Sequence, residues 1–553
     1  MNQPPPMAFE LLRQPGRYLC FAPFLLLVFT DVAVAIAGEF SFTVIDAQSR
    51  LPIASRIYVR NETTGENFFV RIFGELAAVP YFKQSRANRD SMEHHTTVPA
   101  AKWGVDRLPE GKYSITIEKG KEYFPRTIRL DLAVDEVRPH EVIELERWSD
   151  VSRLGWYSGE THLHRPLNEL PVLVLAEDLN VSMPITYWVI DAYMPPKPWE
   201  KNPPGPIPDR LLEVDKSHVI WPRNTEYEIT KVSKTPHTLG ALFVLNHAEQ
   251  LPLGAPDWKP IAEHARSVGA LMDMDKLDWP FAITLPHTTG ATLYELANNH
   301  MWRTEFGLKN WVSSAPAFLQ QPMGGTHGNE CDWLAYTLGQ YYTLLDAGFR
   351  LVPTAGTASG VHPVPPGFGR VYVHLNDGFS YEKWLEGLTG GRSFVTTGPM
   401  ILAELDRQHP GSTLKAGVFD FSGEVISEYP IATLEIVRNG QVESQLPLLN
   451  QRLESGAYRN SIQNRLTVDT SGWICLRCTE DRPDRRLRFA HTASWWLDVA
   501  NKPLLPTEQE KDYLIERITI EIHRSKDVLP ASALAEYFAT LEYFESLQVR
   551  DPQ

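Results

Sequence analysis

The sequence predicts an α/β protein whose central domain is flanked by small β-sandwich domains and followed by C-terminal helices. Three observations support this fold class. Short runs that alternate apolar and polar residues occur near both ends of the chain, longer apolar runs alternate with helical segments between them, and the last segment has helical amphipathic periodicity. With 553 residues, of which 43% are hydrophobic and 22% are charged, the chain is large enough for several packed domains.

Residues 1–37 have the pattern of a cleaved secretory signal peptide. Arg13 and Arg17 precede an apolar stretch that ends in Ala-Ile-Ala at residues 35–37. Asp31 divides the apolar stretch, so that neither part is long enough to span a bilayer alone. An uncleaved membrane anchor is the less favoured alternative. We therefore expect a secreted or periplasmic protein with no stable membrane insertion after the signal peptide is cleaved.

Residues 38–147 are predicted to form an N-terminal β-sandwich. Runs such as FSFTVID, SRIYVRN and KYSITIEKG alternate in polarity and are separated by turn residues. Such alternation is typical of antiparallel strands that bury one face and expose the other.

Residues 148–399 are predicted to form the α/β domain. Apolar runs such as LGALFVLNH and PFAITLPHTTG alternate with helical segments, which is typical of strands covered on both faces. Within this domain, residues 195–208 contain seven prolines, so that they form an irregular and stiff loop. This loop either covers a functional site or is a surface excursion.

Residues 400–505 are predicted to form a C-terminal β domain, and residues 506–553 to form helices. Alternating segments return in ATLEIVRNGQVESQLP and NRLTVDTSGWICLRC. Thr507 and Glu510 have the spacing of a capping box, which marks the start of a helix. Apolar residues at helical spacing predict the buried faces of two helices: Leu514, Ile518 and Ile522 in the first, and Leu534, Phe538 and Leu541 in the second.

Charge and cysteine content argue against nucleic-acid binding and against a fold stabilised by disulfides. The formal net charge of -15 disfavours binding to nucleic acid, because phosphate recognition needs a basic surface. Beyond the predicted signal peptide only Cys331, Cys475 and Cys478 remain, which is too few for a disulfide framework. The Cys-x-x-Cys spacing at 475–478 lies in a predicted strand, where the two thiols point to opposite faces. We interpret these cysteines as core residues rather than as a redox or zinc motif.

The stretch GWYSGETHLHRP at residues 155–166 contains the strongest candidate for chemistry. In an extended strand, side chains two residues apart point the same way, so that His162 and His164 can converge on one metal ion while Leu163 packs into the core. Further candidates follow in the same domain: Glu226, Glu228, His237, His247 and His287. Imidazole and carboxylate groups from several strand ends are the ligands that borderline divalent metals prefer. For each histidine alone, a structural role is the alternative.

Several motifs together carry a family resemblance. GWYSGETHLHRP, LNVSMPITYW, the segment 226–242, LPHTTG, PTAGTASGV and GRSFVTTGP resemble the carbaryl-hydrolase-like (CehA/McbA) branch of the PHP metallohydrolase superfamily. The resemblance covers nearly the whole chain beyond the signal peptide. The order of the His-x-His motif and GRSFVTTGP along the chain is its most specific part.

The resemblance implies a distorted PHP-type α/β barrel with a metal site at the strand ends. It implies a divalent ion such as zinc, manganese or iron, and hydrolysis of ester, carbamate or phosphoester bonds. Five residues match the ligand motifs of the family and form the predicted metal-binding set: His162, His164, Glu226, His237 and His287. Glu226 is chosen over Glu228 from the register of the motif.

Two motifs depart from the family pattern. Where the family has Thr-Asp-His this chain has Thr-Tyr-Trp at residues 186–188, and where it has Gly-Ser-Asp-x-His this chain has Gly-Thr-Ala-Ser-Gly at residues 356–360. Several family ligands are therefore missing, and a reduced site with one or two ions is expected. Three other residues could replace them: Asp178, Asp191 and His362.

The favoured hypothesis is a metal-dependent hydrolase that acts on a small-molecule substrate. Arg165 is predicted to meet an anionic substrate group or a developing oxyanion, with a surface salt bridge as the alternative. His247 is predicted to transfer protons, unless it is itself a ligand. A nucleophilic mechanism through Ser359 or Cys331 is disfavoured, because Thr357 stands where a nucleophile elbow has glycine and because the spacing of the sequence reveals no base for either residue. The competing hypothesis is a non-catalytic binding or structural protein on a degenerate PHP scaffold.

Overall fold

The computed structural model of the chain describes residues 38–85, 89–276, 279, 282–302, 317–319 and 329–550. These residues form a mixed α/β fold that consists mostly of sheets. The segment predicted to be a signal peptide lies outside the described residues. None of the helices in the described ranges is both long enough and apolar enough to cross a membrane.

The first 110 or so of the described residues form two sheets that enclose a shared core, as expected for a domain of this size. Their strands are β1 (Gly38–Asp46), β2 (Ser55–Asn61), β3 (Asn67–Phe68), β4 (Arg71–Ile72), β5 (Val79–Gln84), β6 (Met92–Val98), β7 (Trp103–Leu108), β8 (Gly111–Glu118), β9 (Arg126–Leu132) and β10 (Glu141–Leu145). One sheet has the order β10-β1-β7-β4, and the other has the order β5-β6-β2-β8-β9, with β3 beside β2. Most neighbours are antiparallel, as the alternation predicts, whereas β1 and β10 are parallel.

The central part of the chain contains both strands and helices. Its strands are β11 (Trp156–Leu163), β12 (Val181–Pro184), β13 (Tyr187–Asp191), β14 (Lys197–Pro198), β15 (Leu212–Glu213), β16 (Val219–Ile220), β17 (Thr225–Val232), β18 (Thr235–Leu245), β19 (Leu271–Asp275), β20 (Leu293–Ala297), β21 (Val352–Ala355), β22 (Arg370–His374) and β23 (Ser393–Thr396). Its helices are α1 (Leu170–Glu177), α2 (Trp258–Ser267), α3 (Leu285–Thr289), α4 (Asn329–Asp346) and α5 (Tyr381–Thr389). Short 3-10 helices lie at Val151–Leu154, Ala282–Thr284, Asn299–Met301 and Ala317–Leu319.

The C-terminal part begins with strands and ends with two helices. Its strands are β24 (Met400–Leu405), β25 (Thr413–Leu414), β26 (Gly417–Ser427), β27 (Ile431–Arg438), β28 (Gln441–Gln445), β29 (Gln451–Arg452), β30 (Tyr458–Val468), β31 (Gly472–Glu480), β32 (Phe489–Thr492) and β33 (Trp495–Leu497). The helices are α6 (Glu508–Ser525) and α7 (Ala531–Ser546).

Two sheets of the central part position the candidate site. A seven-stranded sheet has the order β14-β13-β17-β18-β19-β20-β21. A 12-stranded sheet has the main order β15-β16-β12-β11-β22-β23-β32-β31-β27-β28, so that it continues from the central strands into the C-terminal strands. Strand pairing among the described residues closes neither sheet into a barrel.

The C-terminal helices confirm most of the predicted pattern. Thr507 and Glu510 form the predicted capping box at the start of α6. The predicted inner face of α6 is buried, whereas Phe538 of α7 is 49% exposed. The buried stripe of α7 instead contains Ala533, Tyr537, Thr540 and Phe544. The prediction for α7 therefore placed Phe538 on the wrong face of the helix.

The two cysteines of the Cys-x-x-Cys spacing lie on opposite faces of β31. Cys475 packs with Trp473 in one hydrophobic core, and Cys478 packs with Leu476 in another. Burial raises the pKa of Cys475 to about 12. The interpretation of both residues as core residues is confirmed.

Candidate metal site

Strand β11 brings two histidine rings together at its carboxyl end. His162 lies in the strand and His164 directly follows it. Their Nε2 atoms are 3.2 Å apart, and both side chains are buried. Leu163, between them, packs in a separate apolar cluster with Leu170 of α1. The alternation predicted for this strand is therefore confirmed.

The opposite wall of the site is one face of the seven-stranded sheet. Across β18, Glu226 of β17 aligns with Asp273 of β19, and Glu228 aligns with Asp275. Paired residues share a face of a sheet, and so do residues two apart along a strand, so that these four carboxyl groups lie on the same face. Glu295 of the neighbouring β20 lies on that face as well. We call these five residues the acidic face.

The histidine pair contacts the acidic face at two points. His164 Nε2 lies 3.1 Å from Glu226 Oε2, and His162 Nδ1 lies 2.8 Å from Glu295 Oε2. Two groups of potential ligands result, each with its atoms within 4.8 Å of one another: His162, His164 and Glu226 in the first, and His162, Asp275 and Glu295 in the second. His162 belongs to both groups, so that the two groups adjoin.

A lysine lies among the carboxylates. The Lys276 ammonium group is 2.7 Å from Glu226 Oε1, 2.7 Å from Asp275 Oδ2 and 3.2 Å from Glu228 Oε1. Burial alone would lower the pKa of Lys276, but the charges of its carboxylate neighbours outweigh burial and hold that pKa well above its usual value. Glu226 therefore contacts a fixed positive charge through one oxygen and His164 through the other.

Burial determines the protonation of the other groups. It lowers the pKa of both His162 and His164, which favours the neutral imidazole that binds metals. Burial and the negative charge of Asp275 together raise the pKa of Glu295 well above its usual value. Burial likewise raises the pKa of Asp273. Without a bound cation, Glu295 and Asp273 therefore favour the protonated, uncharged form.

These donors fit a divalent metal ion. Two nitrogen ligands bound tetrahedrally to zinc at about 2.0–2.1 Å are separated by about 3.3–3.4 Å. The observed separations are 3.2 Å between the two histidine Nε2 atoms and 3.1 Å between His164 Nε2 and Glu226 Oε2. Glu295 Oε1 and Asp273 Oδ1 are buried and have no hydrogen-bond partner among the described residues. The contact from Glu295 to His162 Nδ1 is the arrangement that orients metal-binding imidazoles.

The loop after β21 packs against the back of the histidine strand. The backbone N–H of Ala358 donates to the carbonyl oxygen of His162 at 2.9 Å, and that of His164 donates to the carbonyl oxygen of Ser359 at 2.8 Å. Gly356 lies so close to His162 that a Cβ atom at this position would overlap the His162 Cβ. The loop therefore contributes backbone contacts that fix both imidazoles.

Two tryptophan rings pack against His164. The centre of its ring is 5.2 Å from that of Trp188 and 5.8 Å from that of Trp199. Trp199 belongs to the proline-rich loop, and its backbone N–H donates to the carbonyl oxygen of Thr186 at 2.7 Å. Of the two alternatives for this loop, the structure supports the one in which it covers the candidate site.

Two predicted ligands, His237 and His287, lie elsewhere and require a correction. His237 Nε2 is 3.2 Å from Ser525 Oγ of α6, and His287 Nδ1 is 3.1 Å from Thr540 Oγ1 of α7. His237 is six residues before Phe243, the residue of β18 that touches His162, which corresponds to about 20 Å along a strand. His287 lies in the short helix α3 rather than at a strand end. Neither ring joins the two ligand groups.

Arg165 is buried beside the site. Its Nε and Nη2 atoms lie 2.8 and 2.7 Å from Glu169 Oε2, and its guanidinium carbon lies 4.2 Å from the centre of the Tyr81 ring. Its Nη1 atom is buried and has no hydrogen-bond partner among the described residues. With 2% exposure, Arg165 is not the surface salt bridge that the sequence left open as an alternative.

His247 has structural partners at both ring nitrogens. Its Nε2 atom is 2.9 Å from Thr225 Oγ1, and its Nδ1 atom is 2.7 Å from the carbonyl oxygen of Glu249. Burial lowers its pKa to about 4. The contacts of His247 therefore give no support to a role in proton transfer.

Sequence reasoning missed Asp275, Lys276 and Glu295. The available signal was the placement of acidic residues inside the apolar runs LMDMD and LYELA, because carboxylates are rarely buried in strands without a partner. Among the suggested replacement ligands, Asp178 pairs with Arg147 instead. Asp191 accepts a hydrogen bond from the Lys234 backbone N–H, and burial lowers the pKa of His362 well below its usual value.

A comparison with models of known protein families finds no matching family, and a comparison with curated proteins finds no matching sequence. The geometry of the site is therefore the main basis for a functional proposal.

Proposed function

We propose that the protein is a metal-dependent hydrolase that activates water to cleave an ester, carbamate or phosphoester bond in a small molecule. The observation that carries this proposal is the convergence of His162, His164 and Glu226 at separations suited to one divalent ion. The resemblance to the carbaryl-hydrolase-like branch of the PHP superfamily supports it and suggests a distorted barrel as the finer description of the fold. The apolar segment at residues 1–37 supports a location outside the cytoplasm.

The residues of the site have distinct roles in this proposal. His162, His164 and Glu226 would hold the ion, and zinc, manganese and iron all suit such donors. When bound, a divalent ion supplies the Lewis acidity that lowers the pKa of water towards neutrality and polarises the scissile oxygen. Glu295 orients His162 through Nδ1. Arg165 Nη1, which has no hydrogen-bond partner among the described residues, would donate to an anionic group of the substrate.

Two observations favour a second candidate, a non-catalytic binding protein. Lys276 already neutralises part of the acidic face without a metal ion. Trp188 packs on His164 in the segment where the resemblance leads one to expect a ligand. In this alternative the lysine replaces the ion and the fold retains only a pocket.

Alanine substitution of the histidine pair tests the proposal. We expect His162→Ala and His164→Ala each to lower the bound zinc, manganese or iron by at least about tenfold, because each removes a direct ligand. Hydrolysis of arylester, carbamate and phosphodiester substrates is expected to be lost in parallel. Elemental analysis of metal-supplemented protein and turnover assays measure the two effects.

Matched histidine controls sharpen this test. His237→Ala and His287→Ala are expected to retain the metal, because their rings contact α6 and α7. Equal metal content in the wild type and in His162→Ala and His164→Ala would contradict the proposal. A wild-type protein that takes up none of the three metals would favour the non-catalytic candidate.

A further inference from the structure

A charged cleft lies where the N-terminal, central and C-terminal parts of the chain meet. Its volume is about 170 Å³. Four of its lining residues carry the argument. Lys121 lies just after β8, and Arg488 lies directly before β32. Phe368 and Arg370 lie at the start of β22. None of the candidate metal ligands lines it. The cleft is therefore a second site, separate from the histidine pair.

Three cations of this cleft lie beyond salt-bridge distance of the described carboxylates. No salt bridge joins Lys121, Arg370 or Arg488 to any acidic residue in the part of the chain that the structure describes. Each instead donates to a neutral backbone carbonyl oxygen: Lys121 Nζ to Thr397 at 2.9 Å, Arg370 Nε to Gly367 at 2.8 Å and Arg488 Nη1 to Leu487 at 2.7 Å. We call these three residues the cationic group.

The carboxyl groups that line the cleft lie beyond salt-bridge distance of the cationic group, although the charge of Glu480 acts on Lys121 and Arg488. Three of them pair with other arginines: Glu118 and Glu177 with Arg56, and Glu480 with Arg482. Burial raises the pKa of Glu428, the remaining carboxyl group of the described lining, to about 7. The lining therefore holds five basic side chains against four carboxyl groups, one of which is partly protonated near neutral pH.

An aromatic ring holds two of the cations close together. Lys121 Nζ lies 4.3 Å and the Arg488 guanidinium carbon 4.8 Å from the centre of the Phe368 ring. Burial, followed by the positive charges of Arg488 and Arg370, lowers the pKa of Lys121 well below its usual value. Burial and the charge of Arg482 lower the pKa of Arg488 to about 10. Such mutual repulsion is relieved when an anion binds between the cations.

The third cation has an unused hydrogen-bond donor. Arg370 is 1% exposed, and its Nη2 atom is buried with no hydrogen-bond partner among the described residues. Arg56, which is 5% exposed and lines the same cleft, leaves its Nε atom without a partner in the same way. Buried N–H groups are almost always satisfied in proteins, so that each of these atoms needs an acceptor, such as a water molecule or a bound anion, that the described residues do not provide.

We propose that this cleft binds a tetrahedral oxyanion of the phosphate or sulfate type between Lys121, Arg370 and Arg488. The anion is either a free ion or the terminal group of a small ligand. Guanidinium groups present paired N–H donors that match two oxygens of such an anion. A cavity needs a volume of about 10–15 Å³ to hold one water molecule. A cleft of about 170 Å³ thus has room for the anion and for part of the group that carries it.

Calorimetric titration of the full chain with inorganic phosphate and with sodium sulfate tests this proposal. The protein is first stripped of metal with a chelator and dialysed, and ionic strength is held constant with chloride. We expect phosphate or sulfate to bind to the wild type, and Lys121→Met and Arg488→Met each to weaken that binding by about tenfold or more, because each removes one charged donor. Methionine keeps the length of the lysine side chain beside Phe368. In the absence of phosphate, both variants are expected to unfold at the wild-type temperature or above, since each removes an unpaired like charge.

Two controls separate this result from the proposed hydrolase function. Lys415→Met removes a lysine that is 75% exposed and should leave phosphate binding unchanged. His164→Ala should also leave it unchanged, so that phosphate binding stands even if the metal proposal fails. Tighter binding of phenyl phosphate than of inorganic phosphate assigns the cleft to phosphomonoesters, and equal binding assigns it to the free ion. Wild-type protein that binds neither anion, or variants with wild-type affinity, would overturn the proposal.

Discussion

Lys276 supplies a positive charge to the acidic face in the absence of a metal ion. Its ammonium group contacts Glu226, Glu228 and Asp275, and Glu226 is also a candidate metal ligand. In Lys276→Met we expect chelator-treated protein to bind zinc about tenfold more tightly, or to bind one more ion per chain, because the freed carboxylates add ligand charge. Titration calorimetry measures both quantities.

The metal-free form of this variant provides a second readout. Removing one partner of a buried ion pair typically costs about 3–5 kcal/mol, so that Lys276→Met without zinc should unfold at a lower temperature, and zinc should restore the loss. Lys415→Met, on the surface, is the control and should change neither property. Identical zinc affinity and stoichiometry in Lys276→Met and the wild type would show that the lysine does not compete with the ion.

At the residue scale, the sequence predicted His162 and His164 from the pattern of one strand and Glu226 from the family resemblance. Strand alternation alone places His162 and His164 on one side of β11, so that their convergence needed no long-range information. Asp275 and Glu295 reach them only because another sheet packs against this strand. His237 was assigned to the site from the family motif, whereas the structure places it near the start of β18, at the far end of the strand from Phe243.

Strand β5 of the N-terminal sandwich supports the loop behind the candidate site. The Tyr81 hydroxyl donates to the carbonyl oxygen of His362 at 2.6 Å and accepts from the backbone N–H of Gly360 at 2.9 Å. In Tyr81→Phe both backbone groups lose their partner, and we expect the free energy of unfolding to fall by about 1–3 kcal/mol. Chemical denaturation of the metal-free protein measures the change.

A second tyrosine provides the control for this prediction. Tyr157 of β11 is half-buried, and its hydroxyl makes no hydrogen bond to a described residue. Tyr157→Phe should therefore leave the free energy of unfolding within about 0.5 kcal/mol of the wild type. Equal stabilities for Tyr81→Phe and Tyr157→Phe would mean that β5 does not support the loop.

At the element scale, local signals predicted the individual strands and helices well. The capping box at Thr507 and Glu510 starts α6, because both partners are close in sequence. The position of the proline-rich loop could not be predicted in the same way. Proline content indicates stiffness, but only the packing of Trp199 on His164 shows what the loop covers.

At the scale of the whole molecule, the order of strands was the least predictable property. The pairing of β23 with β32 joins segments about 100 residues apart, which no local pattern encodes. The 12-stranded sheet therefore runs from the central strands into the C-terminal strands, although the sequence predicted a separate small β domain there. Alternation identifies strands, but it does not identify their partners.

Two ion pairs, one buried and one partly buried, connect the N-terminal sandwich to the central part of the chain. Arg56 of β2 pairs with Glu177, the last residue of α1, and Arg147 pairs with Asp178 at 2.6 Å. Burial would raise the pKa of Asp178, but the charges and hydrogen bonds of Lys119, His218 and Arg147 outweigh it and hold that pKa well below its usual value. The junction therefore depends on a charged carboxylate.

This junction predicts a specific sensitivity to acid. Because the pKa of Asp178 is lower in the folded protein than in the unfolded chain, its contribution to stability is present above about pH 4 and is lost as the pH falls below that value. We expect Asp178→Asn to lower the free energy of unfolding by about 1–3 kcal/mol at pH 7 and by progressively less between pH 4 and pH 2.

Asparagine tolerates the left-handed backbone of Asp178, whose φ is 54°, so that the loss is electrostatic. Asp135→Asn is the matched control, since Asp135 is exposed and has a φ of 56°. Unfolding midpoints of all three proteins across this pH range measure the effect, and a gap between the wild type and Asp178→Asn that stays constant with pH would contradict it.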